Sequence, residues 1–180
     1  MNRVSLALVG FAAVSALALT ACGSDTAPQP TVTVTAPAPV PPTTTTPTPT
    51  TPTDADVYAT WVQAGGANAV DAVITTANAA TNASSCSAID PILTQLINEA
   101  QRVIDFQPQP PASVRTPLNA AMVHLQNSAR AEATYCQSPA GSAAEAAAQA
   151  KANSELVAAK ADLTKASAAA ALYNNTGSAV

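Results

Sequence analysis

Apolar residues recur every three or four positions through most of residues 54–172, the spacing of amphipathic helices, in four runs separated by Pro, Gly and Ser clusters. The first run opens at Thr53 or Asp54, with Thr53 and Asp56 in capping-box spacing. Its stripe is Tyr58, Val62, Ala69, Val73, Ala77 and Ala80, flanked by Trp61, Val70 and Ile74. Gly65-Gly66 interrupts it, either as a kink or as a place where a neighbouring backbone comes close. The second run has two candidate starts, Ser87 with Asp90 three residues on, or Asp90 with Pro91 at the first helical position. Its stripe is Ile89, Leu93, Leu96, Ala100 and Val103, and it ends before the QPQPP turn at 107–111.

The third run starts at Thr116-Pro117 and continues through Leu118, Ala121, Met122, Leu125, Ala129 and Glu132 to Tyr135 and Cys136. Ser138-Pro139-Ala140-Gly141 breaks it, and Ser142 with Glu145 forms a second capping box. The fourth run, about 143–172, is half alanine, with Gln149, Ala152, Leu156, Ala159, Leu163, Ala166 and Ala170 at heptad-like spacing. Short loops favour antiparallel neighbours, so the expected fold is all-α, an up-down antiparallel four-helix bundle over residues 54–175 with a tail at 176–180. Large apolar side chains concentrate in the second run and the first half of the third. The core is thin for its length and stands to gain from a covalent staple.

Ahead of the helices, residues 26–53 hold 12 Thr, 9 Pro and no charge. Proline removes donors and fixes φ, so this stretch reads as a disordered linker, reaching on the order of 85 Å as polyproline II. Such Thr/Pro tracts resemble mucin-like O-glycosylated stalks and those of actinobacterial lipoproteins, a resemblance that implies mannosylation; an unmodified tether is the alternative. At the very start, Arg3 precedes an apolar run from Val4 to Leu19 broken only by Ser5, Gly10 and Ser15. That run is shorter than the roughly 20 residues a spanning helix needs, and it reads as a secretory signal over residues 1–21, with an uncleaved anchor as the alternative.

The run leads directly into Leu19-Thr20-Ala21-Cys22, which resembles the lipobox of bacterial lipoproteins. The resemblance covers about the first 25 residues. It implies a diacylglycerol on the Cys22 sulfur and cleavage just before that residue, leaving 22–25 as a lipidated N-terminus at the extracytoplasmic face of the cell membrane. One acyl chain holds a protein reversibly and two hold it stably, which is the physical logic of the anchor.

With Cys22 acylated, Cys86 and Cys136 remain as an even pair in an exported chain, and the expectation is a disulfide. They lie almost equally far from the QPQPP turn, and Cys136 is in helical phase with Leu118. Closing a loop of roughly 50 residues stabilises by about 4 kcal/mol in the chain-entropy model. Two buried free thiols are the alternative.

Little else carries chemistry. The chain has 7 Lys+Arg against 11 Asp+Glu, and only 10% of it is charged, which excludes a nucleic-acid partner. His124 is the only histidine, so no tetrahedral metal site is expected once the cysteines are used, and Ala121 stands where a di-iron bundle would need Glu. His124 reads as a rim residue bonded to a neighbour or to water; Glu99, Asp105 and Glu132 read as solvated helix faces. No cofactor and no catalytic residue is expected. Tyr58 and Trp61 share one edge of the first run, as either an exposed contact for a ligand, glycan or partner or a cap on the core.

The sequence thus supports a non-enzymatic, membrane-anchored lipoprotein presenting a helical bundle to an envelope protein or glycan. The alternative is a carrier for an apolar small molecule, lipid or porphyrin, in the bundle interior, where alanine-lined helices leave room for a groove or for tight packing.

Overall fold

A computed structural model describes residues 51–176. The expected signal peptide, Cys22, most of the linker and the end of the tail lie outside the described residues. The described part is all-helical: α1 (Asp54–Gln63), α2 (Gly66–Asn82), α3 (Cys86–Ile104), α4 (Ala112–Gln137) and α5 (Ala143–Thr176). No helix among the described residues is long and apolar enough to cross a membrane.

The first expected helix is two helices. The capping box forms, with the Thr53 amide donating to Asp56 Oδ2 (2.9 Å) and the Asp56 amide to Thr53 Oγ1 (3.3 Å). The helix then stops at Ala64, and Gly65 takes φ +95°, a left-handed conformation that glycine adopts without penalty. This break resets the helical phase. Val62, expected on the stripe, is consequently exposed, and Trp61 turns inward instead. Gly66 packs against the Trp61 indole, so the glycine pair provides both the helix break and a close approach.

The starts of α3 and α4 correct the sequence reading in the same direction. Ser85 caps α3, its Oγ accepting from the Ala88 amide (3.3 Å), and Pro111 precedes α4. Neither Ser87, Asp90 nor Thr116 is a cap. Pro91 and Pro117 both lie inside their helices, each five residues after the first helical residue. A proline at that position withholds one amide, from the carbonyls of Ser87 and Ser113 respectively. Both serines are exposed, so water can satisfy the orphaned carbonyl and the helix tolerates the ring.

The α3 stripe is buried as expected at Ile89, Leu93, Leu96, Ala100 and Val103, and α4 adds Val114, Leu118, Met122 and Leu125. In α5, Ala152, Ala159, Leu163 and Ala166 face inward, with Ala148 in place of the expected Gln149. Helices adjacent in sequence pack on one another, most extensively α4 with α5, and α1 also reaches α5. Cross-links run in opposite senses along α4 and α5: Ser113 meets Tyr173 (2.7 Å), while Ser128 Oγ donates to the Ala152 carbonyl (3.0 Å). Along α3 and α4, Cys86 meets Cys136, and Gln126 Nε2 donates to the Ile97 carbonyl (3.2 Å). In contrast, α2 and α5 barely touch.

Candidate functional site: a cleft between α2 and α5

Alanine leaves the space between α2 and α5 partly unfilled. Ala77 and Ala80 on α2 and Ala152 on α5 present single methyl groups, too short to meet across the gap. What remains is a cleft of about 200 Å³. Its floor is buried and apolar, formed by Ile89, Leu93 and Leu96 of α3 with Leu125 and Ala129 of α4. Its polar lining is Thr81, Ser128, Glu132, Tyr135, Gln149 and Asn153, all half-buried or exposed and therefore nearer the mouth. Glu132 is the only carboxylate among the lining residues, and no Lys, Arg or His lines the cleft.

Cys86 and Cys136 meet as a disulfide with a Cα–Cα distance of 5.5 Å. The bridge joins the first residue of α3 to the end of α4. Ile89 and Tyr135, each within one turn of a bridged cysteine, both line the cleft, so the bridge ties together the two helices that form its floor.

Tyr58 and Trp61 stand elsewhere, beside the far end of α5. Trp61 is 5% exposed and belongs to the core. Tyr58 is half-buried and stacks on Tyr173, with ring centroids 5.3 Å apart. The indole is used for packing and is not an exposed contact, whereas Tyr58 keeps part of its ring at the surface. Burial pushes the Tyr58 hydroxyl pKa up, against a smaller downward pull from a hydrogen bond with Asn174.

His124 joins a polar cluster between α4 and α5. Its Nδ1 shares a 2.6 Å hydrogen bond with Glu155 Oε2, and its Nε2 lies 3.8 Å from Asp162 Oδ2. Asp162 in turn accepts from Lys165 Nζ at 2.6 Å. The hydrogen bond from His124 is the main cause holding the Glu155 carboxyl below its usual range, assisted by the imidazole's charge, Asn127 and Lys151 and opposed by desolvation. Among the described residues no group of three or more His, Cys, Asp or Glu is arranged to hold a metal ion.

Two of the three carboxylates read as solvated are half-buried. Glu132 lines the cleft, and Glu99 accepts from Gln95 Nε2 (2.7 Å) while its other oxygen is buried without a hydrogen-bond partner. Asp105 is exposed and accepts from Gln101 (2.9 Å). Helical phase offered one signal for Glu132, its place in line with Leu125 and Ala129; nothing in the pattern singled out Glu155 or Asp162. No protein-family model, curated protein or solved structure matches the chain.

Proposed function

We propose that this chain is a lipid-anchored lipoprotein at the extracytoplasmic face of the cell membrane, non-enzymatic, presenting its helical domain for binding or scaffolding. Residues 1–21 are the signal, Cys22 carries the acyl chains, and 26–53 are the tether. The helices then form an up-down antiparallel bundle of four long segments, α2 to α5, with α1 as an added cap. The observation that carries the reading is the lipobox Leu19-Thr20-Ala21-Cys22 directly behind the apolar run. The Cys86–Cys136 bridge supports it, because disulfides persist outside the reducing cytosol, and the pairing leaves Cys22 as the odd cysteine. Metabolic labelling with palmitate and membrane fractionation test it. Wild-type chain takes up label and sediments with membranes; Cys22→Ala does neither. Equal labelling or equal sedimentation of the two overturns the assignment.

A second reading, the carrier of an apolar small molecule, is favoured by the cleft. Its apolar floor and polar mouth are the usual make-up of a small-molecule site. A thermal shift of the protein with lipids or small aromatic ligands supports this reading, and its absence across such a panel argues for the scaffold alone.

A further inference from the structure

We infer that the cleft between α2 and α5 takes a small cationic amphiphile: one ring or short alkyl chain on the apolar floor, with an amine at Glu132. This rests on the small-molecule reading and narrows it.

Size sets the first limit. At about 200 Å³ the cleft is a little larger than the roughly 150 Å³ apolar cavity that takes a benzene ring, and below the roughly 300–1,000 Å³ of sites for drug-sized ligands. A tetrapyrrole or a full acyl tail exceeds it. Polarity sets the second. Leu93, Leu96 and Leu125 are at most 4% exposed and give the deep part no hydrogen-bonding side chain, so the inserted moiety is hydrocarbon.

Charge sets the third. Glu132 supplies the only formal charge on the lining, and the chain as a whole carries −4. An anionic head, such as a carboxylate or phosphate, meets a like charge in a partly desolvated setting, whereas an ammonium gains a partner there. Gln149 and Asn153 also line the cleft, and an amide oxygen is able to accept from an ammonium hydrogen. The disulfide joining α3 to α4 holds the floor in place before the ligand arrives, which lowers the ordering cost of binding.

The test uses full-length chain in lipid nanodiscs, titrated calorimetrically with 4-phenylbutylamine, 4-phenylbutanol and 4-phenylbutyrate, and with empty nanodiscs as the blank. These probes share ring and chain and differ only in the head. The amine is expected to bind on the order of tenfold more tightly than the carboxylate, with the alcohol between them. Glu132→Gln abolishes that ranking and leaves the alcohol's affinity within about twofold. Ala80→Leu fills the cleft, and Asn153→Trp, at an exposed position that does not threaten folding, covers its mouth; each removes binding of all three probes. If the carboxylate binds as well as the amine and Asn153→Trp abolishes both, the charge assignment is overturned while the small-molecule reading stands. If no probe binds above the blank, or if binding survives both cleft substitutions, the assignment and the small-molecule reading fall together, leaving the lipoprotein reading to its own labelling test.

Discussion

The indole of Trp61 fills the space that a side chain on Gly66 would need: a Cβ at residue 66 would lie 2.1 Å from the ring. A rigid, buried indole cannot swing clear as the tip of a lysine could. Gly66→Ala is therefore expected to destabilise by about 1–3 kcal/mol through overpacking, and to move Trp61 emission to longer wavelength. Gly65→Ala meets no atom within 4 Å but must hold φ near +95°. It should cost about 1 kcal/mol and leave the emission unchanged. Urea unfolding followed by fluorescence separates the two effects, and equal red shifts in both variants would refute this account of the pair.

Breaking the bridge by Cys136→Ser is expected to lower unfolding free energy by about 2–4 kcal/mol. The double variant Cys86→Ser/Cys136→Ser should behave the same, as should the reduced wild-type chain. Thermal melts with and without dithiothreitol check this, and a wild-type midpoint indifferent to reductant would count against it.

Acid should weaken the α4–α5 interface at His124. Glu155 is held below its usual value of 4.5, so the stability it contributes is complete above that pH and is lost as the pH falls through the lowered folded-state pKa. His124→Ala removes the main cause of the lowering. The stability gap between wild type and variant, below about 1 kcal/mol for a half-exposed pair, should then shrink as the pH drops from 5 toward 3 (working range on the order of these values). Denaturant midpoints across that range read it out; a gap that widens in acid would contradict the assigned sign.

Tyr173 holds α1 and the start of α4 together. It stacks on Tyr58 at 5.3 Å, and its hydroxyl lies 2.7 Å from Ser113 Oγ. Tyr173→Ala is expected to cost about 1–2 kcal/mol. Amide exchange in α1 should rise more than in α3, because the α1 helix has Trp61 as its only buried residue. Uniform acceleration across all helices would argue against a local cap.

Helical periodicity locates the α3 stripe correctly because five apolar residues, four of them large, repeat without interruption from Ile89 to Val103. It places the start of α4 late because Pro117 resembles a first helical residue, and for α3 it offers Ser87, two residues late, or Asp90 with Pro91 first, where the cap is Ser85. A proline five residues inside a helix costs one hydrogen bond, and an exposed serine carbonyl makes that cost small. It also carried one stripe through Gly65, where a single left-handed residue rotates everything before it out of phase.

What the linear order of residues determined was the inventory: helices, their main buried faces, two cysteines symmetric about a turn, and a lipobox-like start. These are local or countable properties. Whether alanine faces close up or leave a gap depends on how far apart neighbouring helices hold them. The spacing of α2 from α5 is set by α3 and α4 between them, through the Leu and Ile side chains they bring and the bridge that joins them. The cleft, the place of Glu132 on its lining and the His124–Glu155 contact are therefore properties of the assembled helices, decided by packing between segments far apart in the chain.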